Sequence, residues 1–395
     1  MTKSVMILSG VRTGIGTLGG SLSGIAPTQL GALVAKEAID RAGVSTLEIG
    51  QTVMGNVIHT EPKDMYLSRV VAIDASVPET SPALTLNRLC GSGLQAVITA
   101  FEQILLGNAS VALAGGAESM SRAGHLMSAA RSGAKMGDVL AIDMMIGALT
   151  DPFGNGHMGI TAENVADRHG IDRDAQDAFA LQSHHKAAAA QSAGYFDSQV
   201  LPVEVKHRRE TVPFKTDEMV RGNVTTADLG KLLPAFRKDG TVTAGNASGI
   251  NDGAAALVLA DEHVVERQGL APMARIVATG LGGVSPEVMG LGPIPASRQA
   301  LQRARLNVRD LDVIESNEAF AAQACAVSNE LGFDPAKVNP NGGAIAMGHP
   351  IGASGAIILI KLLYELERVG GRYGLATMCI GGGQGIALVV ENLRR

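Results

Sequence analysis

The chain has 395 residues, 46% of them apolar and 18% charged, with a formal net charge of -5. That usage excludes a disordered chain, leaves room for two or three domains with large cores, and gives no reason to expect a nucleic-acid partner. Three cysteines, Cys90, Cys325 and Cys379, are too few and too widely spaced for a disulfide framework or a zinc cluster, so no metal and a reducing, cytoplasmic setting are expected.

Residues Ser4 to Ser9 form an apolar strand, too short for a signal peptide. No stretch approaches the roughly twenty apolar residues that span a bilayer, so no membrane partner is expected. Gly14, Gly16 and Gly19 match the dinucleotide fingerprint in form. That fingerprint needs a helix directly after its first glycines, whereas Gly20 to Pro27 is a loop and the helix starts near Thr28. Nicotinamide binding is therefore not expected.

Leu30 to Gly55 reads as helix, turn and strand. Leu89-Cys90-Gly91-Ser92-Gly93 then opens an apolar helix, Leu94 to Leu106, and the strand Val111 to Ala114 runs into Gly115-Gly116-Ala117-Glu118. The plan recurs later. Ala300 to Ser316 resembles Leu30 to Gly55, and Gly348-His349-Pro350 leads into the apolar helix Gly355 to Leu366 and a strand ending at Cys379. Two similar halves facing one cleft are implied, with Asn56 and Asn317 in matching polar turns.

Between them, residues 120–249 have no counterpart in the second half and read as an inserted loop domain. It holds an amphipathic helix, Arg173 to Ala193, and a charged, irregular stretch from Val203 to Lys238, read as solvated surface. Residues 1–119 with 250–271 make the first half and 272–395 the second. His184-His185 is placed on a helix surface, Cys325 is read as a buried structural thiol, and Glu118 as a carboxyl that satisfies backbone.

Cys90 precedes Gly91 at a helix entrance, where unpaired N–H groups favour an anion, so its thiol is expected to ionise more easily than a free one. Gly381 to Gly385 is a run where bare backbone can approach a ligand.

Together Asn87 to Gly93, Gly115 to Ser121, His157 to Glu163, Gly245 to Gly249, Asn317 to Phe320, Asn341 to Gly343, Gly348 to Gly352 and Cys379 to Gly385 resemble the thiolases, in particular bacterial short-chain β-ketothiolases and acetyl-CoA acetyltransferases. The resemblance runs from Arg12 to the C-terminus. It implies an α/β chain with the five-layered αβαβα fold of two similar halves and an inserted loop domain. The implied activity condenses two acetyl-CoA to acetoacetyl-CoA, or cleaves short-chain 3-ketoacyl-CoA with CoA, through an acyl-cysteine and ping-pong kinetics. The alternative is a medium- or long-chain degradative thiolase. No cofactor is implied, since CoA thioesters are substrates; the expected partners are acyl-CoA, CoA and further copies of the chain in a dimer or tetramer.

By the same resemblance Cys90 is the nucleophile and His349 its base, Asn317 acts with His349 through a water, and Cys379 is the acid/base at the substrate α-carbon. Backbone N–H groups of Cys90 and Gly381 would hold an oxyanion, and His157, Met158, Arg221, Ala244, Ser248, Met289 and Phe320 would bind the CoA arm. A decarboxylating ketoacyl synthase would lack the second cysteine, and a lipid-binding homologue without catalysis would not keep Cys90, His349 and Cys379. Ile357 and Leu233 stand where many acetoacetyl-CoA thiolases have arginine. With the stretch Glu61 to Arg69 they place the chain nearer β-ketothiolases that also take slightly longer acyl groups.

Overall fold

A computed structural model describes residues 4–395 of the chain. In chain order the elements that build the site are β1 (Val5–Thr13), α1 (Pro27–Ala42), β2 (Gln51–Gly55), β3 (Ala83–Leu86), α2 (Ser92–Leu105), β4 (Val111–Ser119), α3 (Met158–His169), α4 (Arg173–Ser192) and β5 (Asn251–Asp261). They continue with β6 (Ala274–Gly283), α5 (Pro293–Ala304), β7 (Val313–Ser316), α6 (Ala321–Leu331), α7 (Ile351–Val369), β8 (Tyr373–Ile380) and β9 (Gln384–Asn392).

The strands follow one path, β7-β8-β9-β6-β1-β5-β4-β2-β3. In the first half β1 runs antiparallel to β5 and β5 to β4, after which β2 and β3 add in parallel. In the second, β6 runs antiparallel to β9 and β9 to β8, and β7 adds in parallel. The two halves thus repeat one topology. They meet where Met6 pairs with Arg275 and Ile7 with Ala274. The two glycine-bearing helices that follow the cleft loops, α2 and α7, pack on each other between the halves, while α1 covers the outside of the first sheet region and α5 that of the second. The layers are therefore αβαβα.

The placement follows from patterning. Helix α1 buries one stripe, Leu30, Val34, Ala38 and Ile39, and leaves Lys36 and Asp40 outside, so it suits an outer layer. Helix α7 is apolar nearly all round from Ile351 to Leu366, which is stable only as a middle layer. The largest apolar cluster joins Leu94, Val97 and Ile98 of α2 to Leu359, Ile360 and Leu363 of α7. The segment between β4 and β5 holds α3, α4 and a two-stranded ribbon, whereas β8 and β9 are joined by Gly381-Gly382-Gly383 alone.

Several boundaries differ from the sequence reading. Strand β4 continues through Gly115-Gly116 to Ser119 because these glycines are packing contacts, not turn formers: a Cβ on Gly115 would lie 2.0 Å from Ala255 O, and one on Gly116 2.1 Å from Gly352 O. Helix α7 starts four residues before Gly355 for the same reason, since a Cβ there would meet Leu94 N at 2.3 Å. The stretch read as irregular contains the ribbon Val203–His207 with Glu210–Phe214, and Arg208 and Arg209 at its tip are exposed. Farther on, Asp217 is not solvated surface: it is buried against Arg12, with Nη1 to Oδ1 at 2.7 Å. Among the described residues no helix is long and apolar enough to cross a membrane.

The close approach of α2 to α7 sets where the cleft loops lie. Gly355→Ala is expected to push the helices apart and destabilise the protein by about 2–3 kcal/mol, the usual cost of overpacking. Chemical denaturation reads this directly, and a midpoint equal to that of the unaltered chain would remove the glycine contact as the spacer between the halves.

Candidate active site

Cys90 sits on a turn held by its own neighbours. Leu89 adopts φ +46°, a left-handed conformation rare for a leucine. The turn is pinned because Asn87 Oδ1 accepts the Leu89 N–H at 2.8 Å, while Ser92 Oγ accepts the Arg88 N–H at 2.8 Å and donates to Leu89 O at 2.7 Å. Gly91 lets the turn press on Ile380, the residue after Cys379; a Cβ there would lie 2.5 Å from Ile380 Cδ1. The sulfur at the mouth of α2 is thereby brought to the end of β8.

His349 arrives from the other half. Gly348 takes φ +113°, open to glycine, and its missing Cβ leaves space for Asn251. Asn251 Oδ1 accepts the His349 N–H at 2.9 Å, and its Nδ2 donates to Gly16 O at 2.9 Å. On the imidazole, Nδ1 lies 2.6 Å from Ser354 Oγ, and buried Nε2 has no hydrogen-bond partner among the described residues.

These groups line one tunnel of about 500 Å³, with Cys90, His349, Cys379 and Gly381 sharing its walls. His157, Met158, Arg221, Ala244, Ser248, Met289 and Phe320 line the same space. Twelve candidates were singled out in the sequence and Asn317 is the one not on that lining. Its backbone N–H is bound to Thr377 O at 2.9 Å, which turns the residue into a separate cavity of about 20 Å³ shared with Glu315, Ser316 and Ser354. That volume suits about one water molecule. Buried Asn317 Nδ2 has no protein partner among the described residues.

The three reactive side chains, Cys90, His349 and Cys379, are uncharged at rest. Burial pushes the Cys90 thiol up, only partly offset by the N–H groups of Gly381 and of Cys90 itself, so the expected easy ionisation at the helix entrance does not hold. The residue keeps partial access through the tunnel, but desolvation outweighs the helix end. Burial also lowers His349 to about 4, which leaves a neutral imidazole. Burial and then nearby Cys90 push the Cys379 thiol far above its ordinary range. Two thiols and a neutral base can pass protons between them without a standing buried charge.

Other readings change. His184 is buried, not on the surface: its Nδ1 accepts the Arg221 N–H at 3.2 Å, and burial lowers it to about 4. The pair splits because only the face of α4 with Ser183, His184 and Ala187 is buried, leaving His185 exposed. Cys325 is half-buried on a second cavity of about 390 Å³ with Phe179 and Lys186, which reaches neither Cys90 nor Cys379. Ile357 is core, 3% exposed, and neither it nor residues 61–69 line the tunnel. Leu233 is 83% exposed and also off the lining.

Glu118 satisfies backbone, accepting from Val57, Ile58 and Gly352 N–H at 3.0, 3.1 and 2.9 Å. It ties β4 to the start of α7, and burial raises its carboxyl to about 8.

Sequence reasoning missed Phe236, which stacks on His157 at 4.8 Å between ring centroids and meets Phe320 edge-on at 6.1 Å. It also missed the apolar wall of Leu89, Met120, Leu149 and Ile351. Leu89, Met120 and Ile351 fall inside motif stretches, but only the fold shows that they line one wall.

Residues 5–263 match the family model described as thiolase, N-terminal domain, and residues 270–392 match thiolase, C-terminal domain. The chain is 60% identical over 394 residues to "Beta-ketothiolase BktB" of Cupriavidus necator, covering 100% of both chains. It is 50% identical over 389 residues to an "Acetyl-CoA acetyltransferase" of the same organism, covering 98% of this chain and 99% of that one. The crystal structure of human mitochondrial 3-ketoacyl-CoA thiolase in complex with CoA superposes with a TM-score of 0.96 at 43% identity, covering 99% of this chain and 98% of the other.

Proposed function

The chain belongs to the thiolase family, and from that premise we propose how its site works. It is a β-ketothiolase that transfers acyl groups between CoA thioesters, condensing two acetyl-CoA to acetoacetyl-CoA and CoA or running the reverse thiolysis on short 3-ketoacyl-CoA. The observation that carries the reading is the convergence of Cys90, His349, Cys379 and Gly381 on one apolar tunnel long in methionine and aromatic lining.

In the first half-reaction Cys90 passes its proton to His349 Nε2 as the sulfur attacks the thioester carbonyl. The Gly381 and Cys90 N–H groups, which face that sulfur, receive the carbonyl oxygen as it becomes an oxyanion; one such donor is typically worth about 3 kcal/mol. The C–S bond to CoA breaks, and the departing sulfur takes a proton from Cys379. An acyl-cysteine, an imidazolium and a thiolate remain. In the second half-reaction the Cys379 thiolate removes a proton from the α-carbon of the incoming acetyl-CoA, and the enolate oxygen is held by His349 with Asn317 acting through a water. The enolate carbon attacks the acyl group, Cys90 leaves as a thiolate, and His349 returns its proton. A thiol with a raised pKa suits this cycle, because it yields a strong base once it has given up its proton.

His157, Met158, Phe236 and Phe320 offer an apolar channel for the pantetheine arm, and exposed Arg221 suits the anionic nucleotide end. The apolar wall around Leu89, Met120 and Leu149 is where acyl length would be gauged. The three free cysteines support a reducing, cytoplasmic setting. Apolar side chains exposed at Leu126, Met127, Met136 and Leu140 support assembly into a dimer or tetramer.

The direct test is an assay of CoA release from acetyl-CoA and of thiolysis across 3-ketoacyl-CoA lengths. Turnover of acetoacetyl-CoA with decline on longer chains is expected; no turnover of any 3-ketoacyl-CoA would end the reading. The protonation state of the base makes a second prediction. His349 acts as a base only when neutral, and its lowered pKa of about 4 keeps it neutral down to weakly acid pH. Acylation of Cys90 should therefore fall less than about twofold between pH 7 and 5, whereas an imidazole near the ordinary 6.5 would lose about 25-fold. A stopped-flow pH profile with its acid limb near 6.5 would contradict the burial of this base.

A further inference from the structure

We propose that Ser354 is a positioning residue, fixing His349 in the tautomer whose Nε2 is free to take the Cys90 proton. The inference rests on the thiolase reading of the site. The chain of contacts runs through a single hydroxyl. His349 Nδ1 is 2.6 Å from Ser354 Oγ, and that Oγ is 2.9 Å from Pro350 O, all of them buried. A carbonyl oxygen can only accept, and two oxygens at that separation repel unless a proton lies between them. Ser354 has one hydroxyl proton, and Pro350 O claims it. The short contact to the imidazole then requires a second proton, which only Nδ1 can supply. Nδ1 is therefore the protonated nitrogen, and Nε2 carries a lone pair.

Serine in a helix often bonds back to the carbonyl four residues earlier, so the Pro350 contact alone would mean nothing. Its significance here comes from geometry. Ser354 lies in the first turn of α7, whose entry residue Pro350 follows His349, so the helix that ends the cleft loop also orients the base. The backbone side is fixed independently by Asn251. Nε2 has no competing partner among the described residues, and His349 lines the tunnel with Cys90. A histidine with the reversed tautomer would present an N–H to the thiol and could not accept its proton.

Nitrogen NMR of the protein labelled at its histidine ring nitrogens reads the tautomer without any substrate, with His349→Asn identifying the signal among nine histidines. The unaltered protein should show His349 as Nδ1–H. Ser354→Ala should move the signal toward the other tautomer and slow Cys90 acylation about tenfold or more, with KM changed less than about twofold. Ser354→Thr, which keeps the hydroxyl, should restore the Nδ1–H signature. An Nε2–H signal in the unaltered protein overturns the proposal even if no variant folds. An unchanged tautomer and rate in Ser354→Ala overturn it too. An Nδ1–H spectrum in a protein without acyl transfer upholds the positioning and strikes the thiolase reading instead.

Discussion

Cys90→Ser is expected to lower acyl transfer by about 10⁴-fold or more, the scale seen when the nucleophile of a covalent mechanism is removed. Serine fits the space, because the turn depends on Asn87, Ser92 and Gly91 and not on the sulfur. The fold should survive, with an unfolding midpoint close to that of the unaltered chain. What fails is chemistry: the base here is a neutral imidazole lowered to about 4, strong enough to relay a thiol proton in concert with attack but poorly matched to an alcohol. Measurement of both half-reactions should show the two lost together, since each passes through the acyl-cysteine. A serine variant that retained a tenth of the rate would place the nucleophile elsewhere.

Cys379→Ala should separate the half-reactions. Acylation of Cys90 is expected to fall at most about tenfold, because CoA is itself a thiol with an ordinary pKa and can depart with little help. Condensation should fall by about 10³-fold or more relative to acylation, since a carbon-bound proton has no other base to go to. The expectation rests on burial: Cys379 is 1% exposed at the end of β8, so solvent does not replace it. Single-turnover acylation and steady-state condensation, measured side by side, give the ratio. Equal loss of both would reject the role of Cys379 as the carbon base.

The repeat of the two halves was legible in the sequence because it is written in local patterns. An apolar helix after Gly91-Ser92-Gly93 matches another after Gly352, and each follows a reactive residue at an element end. The tunnel residues were legible through resemblance, residue by residue. What escaped depends on packing between elements. Gly115, Gly116 and Gly355 fall at element ends in the sequence reading but are close contacts inside β4 and α7 that only the facing backbone reveals. His184 and His185 are adjacent in sequence yet one is buried and the other exposed, about 100° apart around α4, a choice made by what the helix packs against. The ionisation of Cys90 was misjudged because a helix entrance is visible in sequence and desolvation is not. Ile357 drew attention as a departure from a family pattern, but its side chain points into the core beside Leu359 and Ile360. Phe236 closes the stretch Lys231 to Phe236 that holds Leu233, but its stacking on His157 is set by the fold.

Side chains far apart in the chain act on one sulfur-bound acyl group. Incubation with radiolabelled acetyl-CoA, rapid quenching and peptide mapping test it most directly. The expected result is one acetyl group per chain on the peptide carrying Cys90, released again by free CoA. Stoichiometric CoA release with no label on Cys90, or label confined to Cys325 or Cys379, would contradict it.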